Sequence, residues 1–239
     1  MNVEDKAVKK RGENACLIPA RSGSKGIPNK NLTLFNGTPL IQVTIDLAKR
    51  SKLFDEIFVS SDDTRILKLA KGHGVVPLER PSSLATDTST AAEYLEYHFS
   101  RLCQFTTIML LQPTSPLRTV SDLEVSLNKL SERNPSEDFA VISVSKSQSS
   151  IENLVTVNSG GNGEMLVASK NSNRQDFREI FELNGAIFLS TSRYLEMANF
   201  NFRNMKFIPY IMPMERSIDI DTKLDFEIAQ FLAGREDLN

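Results

Sequence analysis

The stretch 17–31, LIPARSGSKGIPNKN, constrains this chain most, because a short apolar strand pattern runs straight into a loop rich in glycine, serine and cations. Gly23 and Gly26 permit the close backbone approach that lets amide N–H groups converge on an anion, and Ser22 and Ser24 add hydroxyl donors. Arg21 carries a planar fork of donors suited to bidentate phosphate contact, whereas Lys25 and Lys30 are mobile point charges able to follow a reacting phosphoryl group. The loop therefore reads as a phosphate cradle. Its spacing is not a common one: Lys25 precedes Gly26 with no Ser or Thr behind it, so there is no G-x-x-x-x-G-K-[ST], and G-x-G-x-x-G is absent too. A P-loop kinase or an ordinary dehydrogenase is disfavoured.

On either side, strand and helix patterns alternate. Strands are expected at 14–19, 57–60, 75–77, 107–111, 140–144 and 207–212, and helices at 39–49, 64–71, 91–102, 117–130 and 224–232. Asp62 or Asp63 can cap the second helix, which Gly72 and Gly74 close, and Thr88 or Ser89 can cap the third. This rhythm predicts right-handed crossovers and a Rossmann-like, mostly parallel sheet flanked by helices. Ligands of such sheets sit beyond the carboxyl ends of the strands, where the 21–31 loop falls. From 145 onward the pattern weakens, and NSGGNG at 158–163 looks like the tip of a hairpin between 154–157 and 164–167 that leaves the main sheet.

Near the end, SIDIDTKLDF occupies 217–226. Strand alternation would place Ile218 and Ile220 on one face and Asp219 and Asp221 together on the other. Adjacent carboxylates repel unless a cation lies between them, and a hard divalent ion such as Mg²⁺, with Mn²⁺ as the alternative, suits oxygen ligands and phosphate oxygens alike. Thr222 and Asp225 can also form a capping box for the final helix, and both readings can hold at once.

A length of 239 residues allows one α/β domain, expected at 13–144 and 184–235, with an excursion at 145–183 and a polar tail at 1–12. The net charge of −2 gives no electrostatic footprint for nucleic acid or an anionic membrane surface. No apolar run approaches the ~20 residues needed to span a bilayer. Cys16 and Cys103 lie in or near apolar stretches and read as buried thiols, which suits a reducing cytoplasm. His73 and His98 are isolated and read as structural, and Tyr94, Tyr97 and Phe99 read as core.

The stretch 18–31 closely resembles the opening motif of the CMP-sialic acid synthetases, cytidylyltransferases that activate nine-carbon 2-keto sugar acids. Later blocks resemble the same family in the same order: RPSSLATDT at 80–88, LLQPTSPLR at 110–118, Arg174-Gln175 followed by NGAIF at 184–188, and SIDIDTKLD at 217–225. The resemblance implies a CTP-dependent nucleotidyltransferase with Ala20, Arg21, Ser24, Lys25 and Asn31 on the nucleotide and with Arg80 and Ser89 framing the cytosine. It also places Gln112, Arg174 and Asn184 at the sugar acid and gives Arg118 a supporting role. Arg21, Lys25, Lys30, Asp219 and Asp221 would carry catalysis, the two aspartates holding Mg²⁺. The excursion would carry a homodimer contact. Some bacterial members have a second arginine at the position of Glu182, which leaves legionaminate, pseudaminate and Kdo as alternative substrates. A catalytically idle nucleotide-sugar-binding module is the reading from another class.

Overall fold

The computed structural model describes residues 12–132, 138–167 and 179–235. The first strand, β1 (Gly12–Pro19), carries Cys16 and Ile18 into one apolar cluster and Ala15 and Leu17 into another, all fully buried. A strand covered on both faces reads as a continuous apolar run, and β1 therefore lies at the centre of the molecule. The short strands β2 (Leu34–Phe35) and β3 (Thr38–Pro39) form a small hairpin before helix α1 (Leu40–Ser51). Then come β4 (Glu56–Ser61), α2 (Thr64–Gly72), β5 (Val76–Glu79), α3 (Ala91–Leu102), β6 (Phe105–Leu111), α4 (Val120–Ser131) and β7 (Ala140–Lys146). The chain continues through the hairpin β8 (Val155–Val157) and β9 (Gly163–Met165), then β10 (Phe181–Thr191), α5 (Ser192–Met197), β11 (Phe207–Ile211) and α6 (Lys223–Ala233).

Seven strands form one sheet in the order β11-β7-β10-β6-β1-β4-β5. The pairings are parallel except the two made by β10, which lies antiparallel between β6 and β7. Helices α1, α2 and α4 pack with Cys16, Val59 and Met109 on one face, and α3 and α5 pack with Leu17, Phe58 and Ile108 on the other. Each large apolar side chain sealed in these layers contributes about 2 kcal/mol of transfer free energy. A third cluster joins α6 to the β2–β3 hairpin through Phe226, Ala229, Phe35 and Ile220, with Phe35 and Phe226 edge to face.

Several local expectations are corrected. Helix α3 is capped by Thr90, not Thr88 or Ser89, in a reciprocal box with Glu93. Asp63 caps α2 by accepting from the Arg65 amide at 2.8 Å, which leaves Asp62 for another task. Helix α4 begins at Val120 instead of 117, because Thr119 and Asp122 form the capping box and Arg118 turns into the core. Tyr97 is exposed, since the helical register of α3 buries Tyr94, Leu95, His98 and Leu102 instead. Residues 217–221 form no strand; the segment is extended and pinned where the Ile220 N–H donates to the Thr114 carbonyl at 2.8 Å. Both cysteines are free, Cys16 fully buried and Cys103 partly exposed. His98 is buried with Nε2 2.9 Å from the Ser60 hydroxyl, and burial, helped by the nearby Arg80 charge, pulls its pKa down to about 4.

Asp122 ties α4 to the far edge of the sheet. Its carboxylate accepts from the Tyr210 hydroxyl at 2.6 Å, from Arg216 at 2.7 Å and from the Thr119 amide at 2.7 Å. Burial alone would raise its pKa, but the Arg216 and Tyr210 donors outweigh burial and hold it below the ordinary aspartate value. A depressed carboxylate stabilises the fold above its unfolded pKa and loses that contribution as pH falls through the folded one. Asp122→Asn should therefore cost about 2–3 kcal/mol near pH 7. In urea denaturation the gap to wild type should close as the pH is taken below the usual carboxylate range.

Candidate active site

Beyond the carboxyl ends of β1, β4, β5 and β6 lies a cleft of about 300 Å³. Arg21, Ser24, Lys30 and Asn31 line one side, Arg80 and Ser89 a second, and Gln112, Asp219 and Asp221 a third. These residues are far apart in sequence, and the fold brings them together.

The first loop is anchored at its root. The Ala20 N–H donates to the Ser60 carbonyl at 2.9 Å, and the Ala20 side chain is buried away from the cleft. The Asn31 amide donates to the Arg21 carbonyl at 3.0 Å, and both the amide and the hydroxyl of Ser22 donate to the Asp62 carboxylate, at 2.8 and 2.6 Å. The two glycines differ in purpose. A Cβ on Gly23 would meet nothing, whereas one on Gly26 would stand 1.9 Å from the Asp221 carbonyl oxygen. Gly26 is thus required by close approach of two backbones. The same contact is reinforced by Lys30, nearly buried, whose ammonium donates to the Ile220 carbonyl and, at 3.2 Å, to the Asp221 carboxylate. Lys25 is well exposed at the mouth and pairs with Asp87.

Arg80 is 4 % exposed, and its guanidinium lies over the Tyr94 ring, 5.0 Å from the centroid, where both residues line one end of the cleft. Burial lowers its pKa, yet it stays a cation at neutral pH. Ser89 belongs to a knot of hydroxyls, its Oγ accepting from the Thr86 amide at 3.0 Å and donating to the Ser83 carbonyl at 3.2 Å.

The third wall is built by a bulge in β10. Pairing with β7 shifts register between Leu183 and Phe188, and Gly185 sits there at φ +70. A Cβ on Gly185 would come within 3.1 Å of the Asp219 carboxylate and 3.5 Å of the Gln112 side-chain oxygen, so the bulge leaves room for both. Asn184 is 4 % exposed, with its carboxamide engaged inside the fold: it accepts from the Ser143 hydroxyl at 2.6 Å and donates to the Ser217 hydroxyl at 3.0 Å. It therefore stands beneath the cleft, holding the bulge to the 217–221 segment. Arg118 also lies beneath, donating to the carbonyls of Ala186 and Gln112. Arg174 falls outside the described residues.

Asp219 has one carboxylate oxygen buried without a hydrogen-bond partner. Burial raises its pKa, and the charge of Asp221 adds to that against the opposing Thr114 hydroxyl and the Lys30 and Arg118 cations. An unpartnered buried carboxylate oxygen beside a second carboxylate fits a hard divalent cation, which needs oxygen ligands and keeps places for phosphate oxygens. Asp62, Tyr94, Asp87, Thr114 and Gly185 were not singled out for the site by the sequence reading. The paired Asp62-Asp63 is one signal for them, since a single carboxylate suffices for the cap, and Asp87, Thr114 and Gly185 lie inside the motif blocks at 80–88, 110–118 and 184–188.

A cation-bearing loop facing carboxylates across the switch side of an open sheet is the arrangement of a nucleotide-binding α/β protein. The chain belongs to the cytidylyltransferase family, whose model matches residues 15–235. It is 35 % identical over 215 residues to an N-acylneuraminate cytidylyltransferase of Streptococcus agalactiae, covering 88 % of this chain and 51 % of that one. It is 34 % identical over 230 residues to the CMP-N,N'-diacetyllegionaminic acid synthase of Legionella pneumophila, covering 90 % and 94 %. Thus the chain spans about half the length of the N-acylneuraminate cytidylyltransferases it matches and nearly all of the legionaminic acid enzyme. Its fold is that of a CMP:2-keto-3-deoxy-manno-octonic acid synthetase complexed with CTP, with a TM-score of 0.68 at 18 % identity over 94 % of this chain and 99 % of that one.

Because Gly26 and Gly23 face such different surroundings, Gly26→Ala should destabilise the chain by about 1–3 kcal/mol. Gly23→Ala should stay within about 0.5 kcal/mol of wild type. Thermal denaturation of the two variants side by side checks this.

Proposed function

We propose that this chain transfers the cytidylyl group of CTP to the anomeric hydroxyl of a nine-carbon 2-keto sugar acid of the N-acylneuraminate type, releasing pyrophosphate. The observation that carries this reading is the convergence, in one cleft, of the Arg21–Ser24 loop and the unpartnered buried oxygen of Asp219. Family membership and the names of the relatives support it.

The hydroxyl oxygen attacks the α-phosphorus, the bond from that phosphorus to the bridging oxygen breaks, the hydroxyl proton leaves to solvent, and pyrophosphate departs with the bonding pair. Such a transfer needs positioning and charge neutralisation more than covalent help. Arg21 and Lys25 neutralise the departing phosphates, and Ser24 and the loop amides orient them. Lys30 holds Asp221 and the loop in one register. The Arg80–Tyr94 pair and Ser89 receive the cytosine, Asn31 keeps the Arg21 backbone in place, and Gln112 and Arg174 meet the acid. Ala20, Asn184 and Arg118 act from beneath, on the backbone. Asp219 and Asp221 would hold Mg²⁺, or Mn²⁺, which when bound supplies positive charge to the phosphate oxygens.

The excursion expected at 145–183 is narrower at its ends, since 144–146 pair with 181–183 in the main sheet, and the β8–β9 hairpin it holds is the part that would carry a homodimer contact. Val155, Val157 and Met165 share one face of this hairpin and are all more than half exposed, an apolar face that a second copy would cover. Among the described residues no helix is long and apolar enough to cross a membrane. Legionaminate or pseudaminate as the acid is the second reading, favoured by the near full-length match to the Legionella enzyme and by the exposed Glu182 on β10.

Pyrophosphate release with CTP and Mg²⁺, measured separately with N-acetylneuraminate, legionaminate, pseudaminate and Kdo, tests the proposal; turnover with one of the nine-carbon acids and with CTP alone among nucleotides is the expected result. Asp219→Asn should lower kcat by about 100-fold or more while the denaturation midpoint holds. A variant turning over at the wild-type rate would remove the metal assignment.

A further inference from the structure

Across the mouth of the cleft, one carboxylate holds both exposed cations of the first loop. Arg21 donates to one oxygen of Asp87 at 2.7 Å, and the Lys25 ammonium stands 3.2 Å from the other. We propose that Asp87 is a positioning residue that stands in for phosphate, keeping Arg21 and Lys25 aimed over the cleft until the triphosphate takes them over, and reclaiming them when pyrophosphate leaves. The inference rests on the nucleotide reading given above.

Three features of the local structure support the exchange. First, the Arg21 backbone is fixed independently of its side chain: Ala20 is tied to Ser60, the Arg21 carbonyl to Asn31, and Ser22 to Asp62. The guanidinium can therefore change partners without moving the loop. Second, Asp87 sits in a turn braced on both sides by hydroxyls, with Thr86 bonded to Ser89 and to Thr88. Its carboxylate is thus presented from a firm support. Third, all three side chains are substantially exposed, Arg21 at 32 %, Asp87 at 40 % and Lys25 at 79 %. Ion pairs so open to water are weak and exchange readily, and a triphosphate brings several negative charges against the one on Asp87. Both cations pull the Asp87 carboxyl below the ordinary aspartate pKa, Arg21 more than Lys25, so the stand-in is charged at neutral pH.

The pairs also fix where the cations wait. Two extended, flexible cationic side chains on a loop would otherwise sample many rotamers, and holding them in advance lowers the ordering cost on binding. The competing effect is that Asp87 must be displaced, and at close range it repels the incoming phosphates. Displacement and repulsion outweigh preordering in equilibrium affinity, because an exposed pair holds a side chain only weakly.

Calorimetric titration with CTP and with inorganic pyrophosphate, each with Mg²⁺, tests this on wild type, Asp87→Asn and Asp87→Glu. Asp87→Asn should bind both ligands about three- to tenfold more tightly. That gain should shrink as salt is raised, since exposed charges are screened. Asp87→Glu should return to wild-type affinity. Unchanged or weaker binding by Asp87→Asn, or a gain indifferent to salt, overturns the role of Asp87 and leaves the transfer reaction standing. Wild-type protein that binds neither ligand overturns both readings together.

Discussion

The arrangement depends above all on one buried cation. Arg118 is 4 % exposed, and its guanidinium donates to the carbonyl of Ala186 in β10, to the carbonyl of Gln112 at the end of β6, at 2.8 Å, and to the Thr44 hydroxyl in α1, at 3.0 Å. Burial pulls its pKa down to about 10, so it remains charged at neutral pH at the cost of desolvation. The Ala186 carbonyl lies at the bulge and the Gln112 carbonyl at a proline-stiffened turn, where it also accepts from the Ser115 N–H at 3.3 Å, and Arg118 donates to both at once. The third wall of the cleft is therefore defined by a side chain that does not line it.

From that support the site closes by interlocking backbones. The loop after β1 and the segment before α6 touch where Gly26 leaves no Cβ against the Asp221 carbonyl, and Lys30 crosses the same seam. On the opposite side Gly185 leaves the space that Asp219 and Gln112 occupy. Glycine at these two positions lets separate stretches of chain approach more closely than side chains permit, and the carboxylates reach the cation-bearing loop as a result. An orphaned carboxylate oxygen on Asp219 is costly in a folded protein unless a ligand completes it.

Much of this was legible in the sequence, for reasons that can be stated. The continuous apolar run of β1 marks a strand covered on both faces, and the strand–helix rhythm up to residue 144 follows from local periodicity. The Thr222–Asp225 capping box is a short-range pattern, and it appears as read. What escaped were contacts between distant residues. Asp62 looks like a cap until it is seen to reach Ser22, 40 positions away, and Asp87 looks like a loop residue until Arg21 is found 66 positions away. The alternation at 217–221 suggested a strand, but the segment is extended without a strand partner, held by Thr114, Lys30 and Asn184, and both aspartates still reach the cleft. The family resemblance set Asn184 at the sugar acid; its carboxamide bonds to Ser143 and to the backbone of the bulge, a long-range arrangement that no local pattern announces.

The reversed strand β10 has a bearing on how the molecule is made. It lies between β6 and β7, yet it leaves the ribosome after both. Until then β6, with Ile108 to Leu111 buried in the finished protein, ends the growing sheet as an open apolar edge, and β7 has no place beside it. Such an edge is a template for wrong pairings between chains, and joining it late requires contacts across long sequence separation. Synthesis of this chain therefore passes through a vulnerable interval that ends only when residues 181–191 arrive, so the strand that shapes the cleft is also the one that seals the nascent sheet.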